Sequence, residues 1–224
     1  MVRGGAEMVW CIHDQTIPYK LNDTTRAYPR YQSDMSDYSL DQFVTECRGV
    51  ISGNHDAATN VEKLAPLMRK LLTGDKSFLK PEHFRPHPDH YSRNAIYIDE
   101  NNLMSLYALV WSPGQWTPIH DHGTWGVVGV HEGNLEERGF MFESHHPGNA
   151  LDDIDLVPGG VVLLSPGSVT SFVPNPDHIH YSGNPSTTNR VVSLHLYGNA
   201  MAGFHVYNRE NRSRKWIEVS HNES

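Results

Sequence analysis

Only two cysteines, Cys11 and Cys47, occur in 224 residues. They are too few for a disulfide framework and suit a reducing compartment. No stretch is apolar for long enough to span a bilayer, and the start, MVRGGAEMVWCIHD, lacks the apolar core of a signal peptide. Positive charge is scarce too: 18 Lys and Arg stand against 26 Asp and Glu, for a formal net charge of −8. That balance excludes a general nucleic-acid binder, because phosphate binding needs a concentrated basic surface. The one basic cluster, Arg209, Arg212, Arg214 and Lys215, is interrupted by Glu210 and reads as a solvated face. Neither a strand-GxGxxG-helix unit nor a repeat of solenoid length is present. A cytoplasmic protein with no nucleic-acid or membrane partner is expected, as a monomer or small homo-oligomer.

What is abundant is histidine, with 15 residues, together with 18 glycines and 14 prolines set among short β-branched runs. A chain of this length suits one domain with one buried core, mainly β in class. Residues 1–37 carry no sustained period and read as an irregular arm. Residues 38–75 read as two helices. In the first, Ser39 and Gln42 have capping-box spacing, Phe43, Val44, Cys47, Val50 and Ile51 form one stripe, and Gly53 is the stop. Cys47 is therefore core packing. In the second, Thr59 and Glu62 repeat the spacing, Val61, Leu64, Met68, Leu71 and Leu72 form the apolar face, and Gly74 closes it. From about Tyr91 to Tyr207 short strands alternate with turns, as in antiparallel hairpins closing into a sandwich or small barrel. Residues 208–224 read as a C-terminal extension.

The stretch IHDHGTWG places His120 and His122 on one face of a strand and Asp121 on the other. Two imidazoles on one face can grip one metal ion. The surroundings resemble the first motif of cupin barrels, G(X)5HXH(X)3-4E(X)6G, in Gly114, His120, His122 and Gly133, with Gly126 standing at the glutamate ligand's place. The second motif, G(X)5PXG(X)2H(X)3N, is matched in stretched form by Gly160, Pro166, Gly167, His180 and Asn184, with residues 168–179 containing an insertion. His178 shares the strand face of His180 and competes with it as third ligand. The spacing to Asn184 selects His180 and leaves His178 as a loop histidine.

Together with SLHLYG at Ser193 to Gly198, these residues resemble the cysteine dioxygenase family of cupin thiol dioxygenases, over about Tyr91 to Tyr207. The resemblance implies a double-stranded β-helix, or cupin, with a helical lead-in. It implies Fe(II) held by His120, His122 and His180, and a hydrogen-bonded row of Ser193, His195 and Tyr197 beside it. Three neutral imidazoles leave the ion its full charge and open positions, which favour a thiolate. Arg93 aligns with the arginine that binds a substrate carboxylate, a geometry suited to a guanidinium, and Tyr91 shares its strand face. The expected activity is transfer of both atoms of O2 to the sulfur of a small carboxylate-bearing thiol, giving a sulfinate. Alternatives are a cupin metalloenzyme of another type, such as a carbon-bond-cleaving oxygenase or isomerase, and a non-catalytic cupin that binds a small acid.

Two departures qualify the resemblance. The cysteine that cross-links to the active-site tyrosine in animal members has no counterpart in Trp125-Gly126-Val127, so no thioether is expected. The HDHGTWG loop is similar to bacterial members, some of which prefer 3-mercaptopropionate and carry glutamine where this chain has Arg93. A bulkier thiol would need a reshaped mouth, for which the N-terminal arm, the 168–179 segment, and Trp116 or Trp125 as an aromatic wall are candidates.

Overall fold

The computed structural model describes residues 37–145, 147–174, 178–199 and 201–218, all within one compact unit, Gln32–Ser224. The N-terminal arm up to residue 36, Cys11 with it, and residues 175–177 of the inserted segment lie outside the described residues.

Helix α1 (Leu40–Ile51) starts at the expected capping box: Ser39 Oγ accepts the Gln42 N–H and Gln42 Oε1 accepts the Ser39 N–H. Its stripe buries Phe43 and Cys47 completely, and burial pushes the Cys47 thiol up, out of reach of thiolate chemistry. Helix α2 (Ala57–Thr73) begins earlier than the Thr59–Glu62 spacing predicts. Asp56 is the cap, its Oδ1 accepting the Thr59 N–H at 2.7 Å, so Thr59 serves as donor and not as cap. The predicted apolar face is the buried one, from Val61 through Leu72.

Among the described residues eleven strands follow: β1 (Ser92–Ile98), β2 (Ser105–Trp111), β3 (Ile119–His120), β4 (Gly126–Glu132), β5 (Leu135–Phe142), β6 (Leu156–Leu164), β7 (Val169–Phe172), β8 (Ile179–Gly183), β9 (Val191–Tyr197), β10 (Gly203–Asn208) and β11 (Ser213–Glu218). They form two antiparallel sheets, ordered β1-β2-β9-β4-β7 and β11-β10-β3-β8-β5-β6. This is the expected mainly β, double-stranded β-helix (cupin) architecture with two helices ahead of it.

Strands β2 and β9 are buried at every residue. The alternation of side chains explains how. Leu106, Ala108, Leu194 and Leu196 face outward under α1 and α2, joined by Phe43, Leu64 and Met68. Tyr107, Leu109, Trp111 and Tyr197 face the interior with Val128 and Leu135. The helices approach closely at Gly129, where an added Cβ would press on Leu72 and Met68. Covering both faces of one sheet makes the barrel interior a dry place for polar groups.

The C-terminal end corrects the sequence reading. Arg209, Arg212 and Lys215 are exposed, as expected of a solvated basic face, but β11 pairs with β10, and Arg214 is buried, donating to the Ala150 carbonyl at 2.9 Å, to the Gly148 carbonyl and to Tyr207 Oη. Alternation along β11 turns Arg214 inward and Lys215 outward, while Arg212, in the turn ahead of the strand, pairs with Asp153 and Asp155.

Candidate metal centre

Strand β3 is only two residues long, and His120 on it lies directly opposite His180 on β8. Opposed residues of an antiparallel pair share a face, so both rings enter the interior. His122 lies past the end of β3, in the turn leading to β4, so strand alternation does not orient it. Asp121 does. Its Oδ1 accepts the His205 backbone N–H at 2.8 Å, and its Oδ2 accepts the Tyr207 hydroxyl at 2.9 Å and faces His205 Nδ1. Fixing Asp121 outward onto β10 turns His122 inward.

The three rings sit with centroids 4.7 to 4.9 Å apart, and their ligand-capable nitrogens lie within 4.8 Å of one another. All three are buried. Desolvation, followed by repulsion among the imidazoles, holds His120 and His122 well below the usual histidine range; desolvation also lowers His180, against the pull of Glu137. All three are thus neutral with lone pairs available, as metal binding requires. His120 Nδ1 donates to the Pro118 carbonyl at 3.0 Å, which leaves its Nε2 free to ligate. The donor set therefore fits a divalent metal ion.

Gly126, at the place of the cupin glutamate, has no room for a side chain. It is paired with Phe172 on one side and Tyr197 on the other, and any Cβ there would collide with the Phe172 ring. That ring stacks on His122 with centroids 4.1 Å apart.

The space over the rings amounts to about 370 Å³, counting the part open to solvent. Arg93 lines it from β1, with a guanidinium 4.7 Å from the Tyr107 ring centroid. Its Nε and Nη2 are buried without a hydrogen-bond partner among the described residues. Tyr91 also lines the cavity and stacks on Trp111, with centroids 4.6 Å apart. Neither Trp116 nor Trp125 is among the lining residues: Trp125 packs beneath the helices and Trp116 lies over Gly183. The aromatic wall is Trp111 with Phe172 and Phe204.

On β9, Ser193 Oγ is 2.9 Å from His195 Nε2, and His195 Nδ1 is 3.0 Å from the Tyr197 hydroxyl. Sequence reasoning missed the residue that gives this row a direction. Trp111 Nε1–H donates to Ser193 Oγ at 2.9 Å, and an indole N–H can only donate. In the tautomer in which His195 Nε2 accepts, Ser193 Oγ–H donates to it, His195 Nδ1–H donates to the Tyr197 oxygen, and the phenolic hydrogen is free to serve the cavity. Burial lowers His195 to about 3, with Arg93 adding to the effect, so the ring is neutral; burial raises Tyr197, so it keeps its proton.

Asn184 makes no contact with this cluster. Its amide donates to the Trp111 and Asn189 carbonyls and holds the loop after β8. His178 lies outside the three-histidine group and meets Glu137, a residue that the sequence did not single out.

The family model for cysteine dioxygenase type I matches residues 31–210. This chain belongs to the cysteine dioxygenase family. As a member it is an oxidoreductase of the dioxygenase kind, and its three-histidine cluster can hold a metal ion. Among solved structures, this cysteine dioxygenase family member is similar to an uncharacterized conserved protein with a double-stranded β-helix domain from Klebsiella pneumoniae, at 18% identity over 60% of this chain and 98% of that one, with a TM-score of 0.43. It is also similar to an RmlC-like cupin from Ralstonia eutropha, at 12% identity over 60% and 71% of the two chains and a TM-score of 0.39. Within the described residues of this family member, no helix is long and apolar enough to cross a membrane.

Proposed function

We propose that this protein is an Fe(II)-dependent thiol dioxygenase acting on a small thiol that carries a carboxylate. The observation that carries the reading is Arg93: a buried cation with two unpartnered nitrogens, on the wall of the cavity that the three histidines floor. Such a group calls for an anion, and a guanidinium matches a carboxylate through two parallel hydrogen bonds. The small cavity admits a compact substrate.

His120, His122 and His180 would hold the ion, and bound Fe(II) supplies the redox chemistry that joins O2 to sulfur. In the overall reaction RSH and O2 give RSO2H: two sulfur–oxygen bonds form, the O–O bond breaks, sulfur loses four electrons and O2 gains them. The chain's own part is positional. Arg93 grips the carboxylate and so fixes where the thiol sulfur lies. Tyr197, oriented by His195, Ser193 and Trp111, presents one hydrogen-bond donor to the reacting end. Phe172, Phe204 and Trp111 exclude water, which strengthens both interactions.

The test is anaerobic reconstitution with Fe(II) followed by O2 uptake with cysteine, 3-mercaptopropionate, mercaptosuccinate, cysteamine and a thioimidazole. Uptake is expected with carboxylate-bearing thiols, with a product heavier by both oxygen atoms, and not with cysteamine, which has no carboxylate. No uptake with any of these thiols sinks the proposal.

A further inference from the structure

We infer that Glu137 is a positioning residue for the metal centre, a carboxylate that acts on the ion through His180 from outside the ligand set. The inference rests on the ligand role proposed for His180.

Alternation along β5 sends Glu136 and Arg138 outward, where they pair with each other, and Glu137 inward, where it is 9% exposed. An inward carboxylate is costly unless it is hydrogen-bonded. Here each oxygen has its own imidazole: Oε1 lies 3.2 Å from His178 Nε2, and Oε2 lies 3.3 Å from His180 Nδ1. On β8 the residue opposite Glu137 is Ser182, with His180 two positions along the strand, and Glu137 reaches diagonally to the His180 ring.

A carboxylate can only accept, so this contact favours the tautomer with the proton on His180 Nδ1, which His178 Nε2 at 3.3 Å and Ser182 Oγ at 3.4 Å also approach. In that tautomer Nε2 is left unprotonated, as a metal ligand needs. The arrangement also bears on Gly126. Phe172 closes the place where a cupin glutamate would ligate the ion, yet a negative charge still reaches the centre, one residue removed, through the imidazole. Glu137 is the one acidic residue in either cluster of metal-capable side chains among the described residues. His178 holds the second oxygen and stacks on Phe172 with the rings 5° from parallel, which fixes the carboxylate in place.

The test uses the full-length protein stripped of metal and titrated with Co(II) against a competing chelator, with the visible Co(II) bands recorded. Glu137→Gln, which keeps the shape and loses the charge, is expected to weaken Co(II) binding about ten- to a hundredfold and to shift the bands. Its metal-free form should unfold at the parent temperature or above. A glutamate that only braces the barrel would do the reverse, lowering the metal-free unfolding temperature and leaving Co(II) affinity unchanged; that result overturns the inference. Should Glu137→Gln not fold, Glu137→Asp carries the same test by withdrawing the charge one methylene, with weaker binding expected and unchanged binding overturning the inference. His180→Ala separates the two readings. If it abolishes Co(II) binding while Glu137→Gln leaves it intact, only this inference fails; if the parent binds no Co(II), both fail.

Discussion

Arg93, 9% exposed, lies over the Tyr107 and Tyr197 rings, and its Nε and Nη2 have no hydrogen-bond partner among the described residues. Leaving a buried charge unpaired costs several kcal/mol, so its persistence points to a substrate anion that completes it. Replacing Arg93 with Met, of comparable reach and no charge, should therefore separate stability from function. The metal-free variant is expected to melt at a higher temperature than the parent, while KM for a carboxylate-bearing thiol rises about ten- to a hundredfold, the equivalent of one or two charged hydrogen bonds. Differential scanning fluorimetry and steady-state O2 uptake read the two effects. A lower melting temperature with unchanged KM would place Arg93 among the structural residues. In the sequence the carboxylate-binding role of Arg93 follows from the family resemblance alone, because alternation along β1 does not show what a residue faces.

At the level of elements, the shortest strand carries the heaviest duty. β3 spans two residues, and the turn after it is held by Asp121 against β10, which the sequence reading left undivided from the end of the barrel. Asp121→Ala leaves the His205 N–H and the Tyr207 hydroxyl without their acceptor. Each such loss costs about 1 to 3 kcal/mol, so urea unfolding should show a destabilisation of about 2 to 6 kcal/mol. Because the same turn carries His122, metal affinity should fall with it. Retention of full Co(II) affinity by the folded variant would mean that His122 is oriented by its stacking on Phe172 alone. Helix α2 teaches the complementary lesson. Its face was legible from spacing, but its start was not, since Asp56 and Thr59 are both acceptable caps and only the path of the chain into the helix decides between them.

For the whole molecule, the sheet covered on both faces sets a pH response. Folded His195 stays neutral down to about pH 3, whereas in the unfolded chain it takes up a proton below about pH 6.5. Between those values the unfolded state binds more protons, so stability falls as the pH is lowered, by about 1.4 kcal/mol per pH unit for this group. Above pH 6.5 its contribution is constant. His195→Gln should flatten the slope of unfolding free energy against pH between 6 and 4 relative to the parent, measured by urea titration at each pH. Parallel slopes for the two proteins would show that His195 is protonated in the folded state.

The sequence by itself determined what local periodicity and spacing can express. Alternation put Ser193, His195 and Tyr197 on one face of one strand; the helical stripe put Phe43 and Cys47 in the core; and the HxH and Gly126 pattern marked an all-histidine cluster. Each of these is a relation among residues a few positions apart, where backbone geometry alone fixes direction. Only the tertiary structure decided which distant groups meet: Arg93 from β1 in one cavity with His180 on β8, Glu137 behind that histidine, Asp121 tied to β10, and Trp111, not Trp116 or Trp125, on the cavity wall and donating into Ser193. Those contacts depend on strand order and register across two sheets. Register is set by how the apolar faces pack as a whole, and a shift of one residue would turn Arg93 and Glu137 to the opposite faces of their strands.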